Sequence, residues 1–384
     1  MSAPSIVLSP PASPSSPRSP IWIRGVLLGF GVMGLVAGLW GALVRLGWTA
    51  PFGSSLAPLH GPLMISGLFG TVIGLERAVA LGARWSYAAP ALSGLGTTAL
   101  ILGMPVAWGA GAYAAAAAVL TAASLLITIR QPAVFTGALL FGALAWLAGN
   151  VFWLLGHSVP DLVGWWLTFL VLTIAGERLE LSRLLPPRRG NEAMFLFAVG
   201  LLLAGAQNGV MTENGAVLFG LALVVTTLWL LRHDIARANI RRSGQPRFMA
   251  ASMLSGYVWL GLAGLGLIAF PPDSSSFAYD TALHAVLIGF VLSMVFGHAL
   301  IILPAITRIR VPYSSRLYAP LLLLHVSVAL RVAGGLWESD MLRMASGLIT
   351  LLALAAFVGC LAISAKSYPT GRCPSRYPDP DVAP

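Results

Sequence analysis

Charged side chains are scarce in this sequence. Only 9% of its residues are Asp, Glu, Lys or Arg, whereas 57% are hydrophobic, and this composition excludes an ordinary soluble domain. Cysteine is nearly absent: Cys360 and Cys373 offer neither a disulfide framework nor the spacing of a metal site. The first 20 residues are rich in Ser and Pro and carry no cleavable signal, so the first apolar segment is expected to anchor the chain in a membrane.

What the sequence has instead is a series of apolar runs of about 20 residues, each long enough to cross the hydrocarbon core of a bilayer as a helix. We predict an all-α integral membrane protein whose partner is the lipid bilayer. Its single twelve-helix transmembrane domain covers 21–366, between disordered cytoplasmic tails at 1–20 and 367–384. The predicted spans are 22–47, 58–81, 86–104, 106–128, 133–156, 161–183, 193–211, 214–232, 249–270, 281–306, 315–337 and 341–365.

Positive charge alternates with negative charge from one predicted loop to the next. Basic residues follow the even-numbered helices: Arg84, Arg130, Arg188, Arg189, Arg237, Arg241, Arg242, Arg247, Arg308, Arg310, Arg316, Lys366, Arg372 and Arg376. Acidic residues follow the odd-numbered ones: Asp161, Glu213, Asp273, Asp280, Glu338 and Asp340. The positive-inside rule then places both termini in the cytoplasm, in a bacterial-type inner (plasma) membrane. Topology explains the net charge of +10, so no nucleic-acid partner is needed.

Three of the predicted helices match one another at a spacing of about a hundred residues. The tenth, 284–298, aligns without gaps on 163–177 of the sixth, with Phe290 opposite Phe169. The second, 60–77, matches with two extra residues before its charged end, and the helices that precede the three copies also resemble one another. We therefore predict three quasi-repeats of four helices each.

His60 and His284 begin the second and tenth helices at equal depth near the outer face. Titratable groups at membrane depth are candidates for function. A neutral imidazole is a good ligand of haem iron, and two histidines on neighbouring helices are a common way to hold a haem in a membrane. Gly61 and Gly289 are expected to leave room for the flat macrocycle. The alternative is that both histidines lie at the interface and are wetted by headgroups.

Arg331 lies within an apolar run in the outer half of the eleventh helix. A lone buried guanidinium needs an anion, and the propionates of a haem at the outer face would supply one. The alternative is that the side chain extends to the outer headgroups.

A second pair of histidines is expected deeper in the bundle. His298 lies about 40° from the face of His284 and about 21 Å further in, and His325 on the eleventh helix reaches a similar depth. The two could form an inner site for haem or a metal, copper included. They could equally be a hydrogen-bonded pair or separate buried histidines. His157 and His233, in or beside loops, are expected only to be solvated.

Glutamates mark the inner ends of two helices. Glu177 and Glu180 end the sixth helix, and Glu177 is expected to point to the interior. Glu76 ends the second helix about 160° from the face of His60, on the opposite side of an ideal helix. These glutamates could form a proton path or an ionic lock between repeats. The alternative is a surface salt-bridge ladder, such as Glu180 with Arg183.

Taken together, twelve helices, three quasi-repeats and outer-face histidines on helices 2 and 10 resemble the fold of heme-copper oxidase subunit I. In that family the two positions hold the low-spin haem, and the histidine of helix 2 belongs to a His-Gly motif, as at His60-Gly61. The sixth helix here has no histidine, the seventh has no His-His pair, and neither 282 nor 286 is a histidine. The chain is therefore not expected to be a complete terminal oxidase.

The C-terminal part, 281–365, also resembles the NnrS family, twelve-helix haem proteins linked to nitric oxide tolerance. The resemblance rests on the motif that begins at His284, on Gly297-His298, and on Leu330-Arg331-Val332-Ala333-Gly334. It departs after His298, where the apolar stretch Ala-Leu-Ile-Ile-Leu-Pro replaces a polar one.

We therefore expect an integral membrane protein that binds haem b and functions in nitric oxide tolerance or in electron transfer. Its redox partner or gas ligand is left open. The competing hypothesis is a proton-coupled transporter without haem, which would use Glu76, Glu177, Glu180 and His298. A structural membrane subunit is a third possibility.

Overall fold

The computed structural model describes residues 20–49, 51, 53–183, 190–272 and 276–367. Almost all of the two predicted tails lies outside these ranges. So do several residues named above: Arg188, Arg189, Asp273, Arg372, Cys373 and Arg376.

Within those ranges the chain forms twelve long helical segments joined by short connections. They are α1 (Ile21–Arg45), α2 (His60–Pro62, Leu63–Gly70 and Thr71–Leu81), α3 (Ala88–Ile101), α4 (Val106–Arg130), α5 (Val134–Leu154), α6 (Val159–Ser182), α7 (Asn191–Asn208), α8 (Glu213–His233), α9 (Gln245–Ala269), α10 (Ser276–His284, Ala285–Leu292 and Ser293–Thr307), α11 (Tyr318–Leu336) and α12 (Asp340–Lys366). Ten of them are long and apolar enough to cross a membrane. The protein is therefore a multi-pass helical membrane protein. Within the described ranges, α3 with 14 residues and α7 with 18 are not among these ten, so twelve spans stay a prediction.

Polar caps and glycines set the ends of the helices. The Thr212 hydroxyl accepts a hydrogen bond from the backbone N–H of Gly215 at the start of α8, and Ser339 does the same at the start of α12. Each satisfies a backbone donor that the first turn of a helix leaves open. Gly82, with φ of 71°, ends α2 in the left-handed conformation that glycine adopts without steric cost.

Small residues allow neighbouring helices to approach closely. A Cβ at Gly220 of α8 would lie 2.6 Å from the carbonyl oxygen of Gly264 in α9. Conversely, a Cβ at Gly264 would lie 2.6 Å from the carbonyl oxygen of Gly220. Between α1 and α2, Gly34 faces Gly67, where a Cβ would lie 2.9 Å from the backbone. Such contacts replace the hydrophobic effect as the driving force for helix association in lipid.

Both helices that begin near a candidate histidine contain a π-helix. In α2 the segment Leu63–Gly70 is π-helical, and in α10 the segment is Ala285–Leu292. Because a π-helix has i→i+5 hydrogen bonds, it widens the turn and shifts the faces of the residues after it; such segments are frequent at functional sites. The shared feature supports the similarity between α2 and α10, whereas the full threefold repeat stays a prediction.

A buried polar network holds the π-helical segment of α2 in place. The Trp146 indole N–H of α5 donates to the Ser66 hydroxyl, which donates to the Asn150 side-chain oxygen. On the other side the Ser93 hydroxyl of α3 donates to the Ser66 carbonyl oxygen, at 2.6 Å. Since a buried polar group without a partner is costly, these bonds stabilise the unusual backbone beside His60.

Candidate functional site

The structure brings His60 of α2 and His284 of α10 together. Their ring centroids are 6.3 Å apart, and the two ring planes are within 4° of parallel. The residues lie 224 positions apart in the sequence, so the fold alone creates this pairing.

A backbone carbonyl holds each of the two imidazoles at Nδ1. His60 Nδ1 is 2.8 Å from the Gly38 carbonyl oxygen of α1, and His284 Nδ1 is 2.7 Å from the Asp280 carbonyl oxygen one turn earlier in α10. A carbonyl can only accept, so each neutral ring carries its proton on Nδ1 and keeps a lone pair on Nε2. This is how metal-binding histidines are commonly oriented.

Both histidines line a cavity of about 460 Å³. Six helices line it: α1, α2, α6, α10, α11 and α12. Its size falls within the range of about 300–1,000 Å³ of small-molecule and cofactor pockets, which are also mainly apolar.

The two π-helical segments both line the cavity, and they do so with the same spacing of residues. From α2 come Met64, Ile65 and Phe69; from α10 come Leu287, Ile288 and Leu292. In each set the second residue follows the first directly and the third is five positions after the first. Residues five apart align on one face of a π-helix, because its hydrogen bonds run from i to i+5. The π-helices therefore explain why both walls are continuous and apolar.

Three arginines, Arg45, Arg331 and Arg343, line the cavity together with Asp280. Two of them bind that carboxylate: Arg331 donates two hydrogen bonds of 2.7 Å to it, and Arg343 Nε lies 3.4 Å from it. Arg45 forms no ion pair or hydrogen bond through its side chain with a described residue. The cavity therefore contains an excess of positive charge suited to an anionic group.

The expectation that Arg331 is a lone buried guanidinium is wrong, and so is the expectation that Asp280 lies in a loop. Asp280 lies on α10, in the helical segment Ser276–His284, and binds Arg331 with both oxygens. The i to i+4 spacing of Asp280 and His284 was the available signal, since it places both side chains on one face of a helix.

The expectation that Gly289 leaves room for a macrocycle is also wrong. A Cβ at Gly289 would lie 2.5 Å from both Cβ and Cγ of Trp259. The indole of α9 therefore fills the space that the missing side chain leaves. Gly61 does line the cavity, although a Cβ there would meet only Val159 at an ordinary 3.4 Å.

The inner histidines, His298 and His325, do not hydrogen-bond to each other. His298 Nδ1 lies 2.6 Å from the Met294 carbonyl oxygen, whereas His325 Nδ1 accepts a 3.0 Å hydrogen bond from the Trp259 indole N–H. Both Nε2 atoms are buried without a hydrogen-bond partner among the described residues. No group of three or more His, Cys, Asp or Glu residues suited to a metal occurs in the described part of the chain.

A buried polar cluster that the sequence did not indicate lies near His298. The Tyr257 hydroxyl donates to the Asp234 carboxylate at 2.9 Å, and Arg178 Nε lies 4.0 Å from the same carboxylate. Burial raises the pKa of Asp234 above its ordinary value, and the charge of Arg178 offsets part of this rise. Nearby His233, expected to be solvated, is in fact buried and stacks on Trp229.

At the other end of α2, Arg77 donates a hydrogen bond to Glu177 of α6. The carboxylate of Glu76 lies close enough to Glu177 for their charges to interact, but it forms no hydrogen bond or ion pair with a described residue. Glu180 is exposed and forms no ion pair with Arg183, whose guanidinium instead lies 4.7 Å from the centre of the Phe135 ring.

Comparison with known proteins identifies a family but no characterised relative. No curated protein matches the sequence. The model of the family described as Domain of unknown function (DUF8744) matches residues 24–366, most of the chain, and the protein belongs to this family.

Proposed function

We propose that this protein is a membrane-bound haem protein in which His60 and His284 would hold one haem b. The single observation that carries the proposal is the close, parallel arrangement of the two imidazoles, which line one cavity. The family assignment names no function, so the proposal rests on the geometry of the site.

The distance between the two rings fits one metal ion held between them. A metal ion lies about 2.0–2.1 Å from an imidazole nitrogen, and the ring centre lies about 1.1 Å beyond that nitrogen for ring bonds of about 1.33 Å. Two imidazoles that bind one metal ion would therefore have ring centres at most about 6.2–6.4 Å apart, and the observed separation of 6.3 Å lies within this limit. Both Nε2 lone pairs are available, because Nδ1 of each ring is bonded to a carbonyl.

The surroundings of the histidines also fit a flat apolar group that carries carboxylates. The walls contributed by the two π-helical segments are apolar, whereas Arg45 and Arg343 supply positive charge. We assign the binding of the propionates to Arg45 first, because Asp280 already occupies Arg331. Arg331 thus contributes to the site mainly through Asp280.

A haem held by both histidines would supply one-electron transfer, whereas binding of a gas would require one of them to give way. The protein's own part is to fix the tautomer and orientation of both imidazoles and to exclude water with the apolar walls. We therefore favour electron transfer over direct binding of nitric oxide. A role in nitric oxide tolerance, as the NnrS resemblance implies, would then be one of supplying electrons.

The proposed setting is a bacterial inner membrane crossed twelve times, with both termini in the cytoplasm and an arrangement of helices like that of heme-copper oxidase subunit I. The arginine-rich connections after α2, α4, α8 and α10 support this orientation. In it, His60 and His284 lie near the face opposite the termini.

The test is the visible spectrum of the detergent-purified protein, oxidised and then reduced with dithionite. We expect a Soret band and sharp α and β bands in the wild type, and their loss in His60→Ala and in His284→Ala. His157→Ala is the matched control, because His157 is exposed in the connection between α5 and α6. A colourless wild-type protein, expressed with sufficient haem, would contradict the proposal.

One observation favours the second candidate, a proton-coupled transporter. Glu76 is a carboxylate without an ion pair among the described residues, within a predicted membrane span and beside the Arg77–Glu177 pair. A proton-accepting group in a transporter would have this character. Proton uptake by proteoliposomes that is lost in Glu76→Gln, from a protein without haem, would favour this candidate.

A further inference from the structure

Asp280 connects a buried arginine to one of the two proposed haem ligands. Its two oxygens accept hydrogen bonds of 2.7 Å from Nε and Nη2 of Arg331. One of these oxygens, Oδ1, is also 3.3 Å from Nδ1 of His284. Because a two-point hydrogen bond to a planar guanidinium fixes a carboxylate firmly, Arg331 determines where the negative charge of Asp280 lies relative to His284.

The other proposed ligand has no such partner. His60 Nδ1 contacts the neutral carbonyl oxygen of Gly38 at 2.8 Å, and no carboxylate among the described residues forms an ion pair with it. The two imidazoles are therefore held in different electrostatic surroundings. A carboxylate near the N–H of a metal-bound histidine makes that imidazole a stronger electron donor, and such neighbours tune the metal.

We propose that Asp280, held by Arg331, is a positioning residue that lowers the midpoint potential of the haem through His284. This inference rests on the proposed function and goes further, since it names what sets the redox property of the site. The couple is the one-electron reduction of ferric to ferrous haem. Negative charge directed at His284 stabilises the ferric form, whereas Arg331 and Arg343 limit that effect by binding the same carboxylate.

The variant that tests this is Asp280→Asn in the full-length, haem-loaded protein, with the midpoint potential measured by spectroelectrochemical titration at fixed pH. The amide retains a hydrogen-bonding oxygen but loses the charge. We expect haem at the wild-type stoichiometry and a higher midpoint potential. At a given ambient potential, the ratio of reduced to oxidised haem should rise by about tenfold, which corresponds to about 59 mV for one electron.

The matched control is Asp340→Asn, which removes an equal charge from a neighbouring ion pair. Asp340 binds Arg343 at 3.0 Å, but its side chain is 81% exposed and it does not contact His284. The midpoint potential of Asp340→Asn should equal that of the wild type. If Asp280→Asn binds haem and its potential is also unchanged, Asp280 serves only to join α10 to α11 and the inference is overturned.

A second variant covers the case in which Asp280→Asn fails to fold. Arg331→Lys keeps the positive charge and the carboxylate but loses the two-point hydrogen bond, so the charge of Asp280 is held less firmly beside His284. We expect a midpoint potential above that of the wild type, and an unchanged or lower value would overturn the inference. A colourless wild-type protein would instead overturn the proposed function, so the two failures are distinguishable.

Discussion

Arg77 of α2 and Glu177 of α6, one hundred residues apart in the sequence, form an ion pair that joins the two helices. Their side chains are only 17% and 26% exposed, so water screens the pair less than it would at the surface. The bond ties the end of the helix that begins with His60 to a helix that lines the histidine cavity.

Replacing Glu177 with Gln should therefore destabilise the protein. The loss removes a charged hydrogen bond and leaves Arg77 partly buried without its partner, at a cost of about 1–2 kcal/mol. Thermal unfolding of Glu177→Gln, Arg77→Gln and the double variant in detergent gives a double-mutant cycle, in which a favourable coupling energy is expected.

The control for that cycle is Glu180→Gln on the same helix. Glu180 is exposed and forms no ion pair with a described residue, so its loss should change the unfolding temperature little. A coupling energy of zero between Arg77 and Glu177 would contradict a stabilising role for the pair.

Gly289 offers a second prediction, because Trp259 occupies the space beside it. Gly289→Ala would place a methyl group 2.5 Å from two atoms of that indole, and the indole is itself held by a hydrogen bond to His325. Such overpacking costs about 1–3 kcal/mol. We expect a lower unfolding temperature and, since the π-helical segment would shift, weaker binding of the proposed haem.

Gly266→Ala is the matched control. Gly266 lies within α9, and nothing lies within 4 Å of the position a Cβ would take. Alanine is favoured over glycine inside a helix by about 0.5–1 kcal/mol, so this variant should be as stable as the wild type or more stable. Equal effects of the two substitutions would show that Trp259 can move away at no cost.

The helices and the equal depth of His60 and His284 could be predicted from the sequence because each leaves a local signal. Apolar length determines which segments can cross a membrane. The equal depth of the two histidines follows from where each apolar run begins. Depth and residue type are properties of the chain itself, so they required no knowledge of the packing.

The π-helices could not be predicted, and they changed which residues share a face. The expected angle of about 160° between His60 and Glu76 assumed 100° per residue throughout. Eight residues of α2 are instead π-helical. The rotation per residue is smaller in a π-helix, so every later residue of α2 faces a different direction from the one that an ideal α-helix predicts. Packing against partners such as Trp146 and Ser93 stabilises that segment, and partners this distant leave no periodic signal in the sequence.

The pairing of Asp280 with Arg331 was missed for a related reason. Asp280 lies at the start of an apolar run, where a charged residue is equally consistent with the end of a loop and with the first turns of a helix. Its partner is 51 residues away on another helix. Only the fold shows that the two charges neutralise each other inside the bundle.

Asp234 should make stability depend on pH in a direction opposite to that of most carboxylates. Burial raises its folded pKa above the ordinary 3.8, so in the window above pH 3.8 the folded state binds more protons than the unfolded state. The free energy of unfolding therefore falls as pH rises through the folded pKa. Relative to the non-titrating variant Asp234→Asn, the wild type should lose stability across that window, as measured by thermal unfolding at each pH.

Tyr257→Phe provides the accompanying test. The Tyr257 hydroxyl donates to Asp234 and so favours the ionised carboxylate. Without it the pKa of Asp234 should rise further, and the loss of stability should extend to higher pH. Parallel stability curves for the wild type and Asp234→Asn would contradict the raised pKa.

His298 allows a test of the predicted inner site. Its Nε2 atom is buried without a partner among the described residues, and an unsatisfied buried group costs about 1–3 kcal/mol. His298→Leu removes that atom. Its Nδ1 partner, the Met294 carbonyl, lies one helical turn away and remains in the hydrogen-bonding pattern of the helix. We therefore expect His298→Leu to unfold at the same temperature as the wild type or a higher one, with the spectrum of the proposed haem unchanged.

The same substitution at His325 should have the opposite effect. His325 also has a buried Nε2 without a partner, but its Nδ1 accepts the hydrogen bond of the Trp259 indole. Leucine there would leave the indole N–H unsatisfied between α9 and α11, so a lower unfolding temperature is expected. Metal analysis of both variants tests whether the inner histidines bind a metal ion. If His298→Leu loses stability together with a bound metal ion such as copper, then the unpaired Nε2 is a ligand, and the inner site is occupied in the native protein.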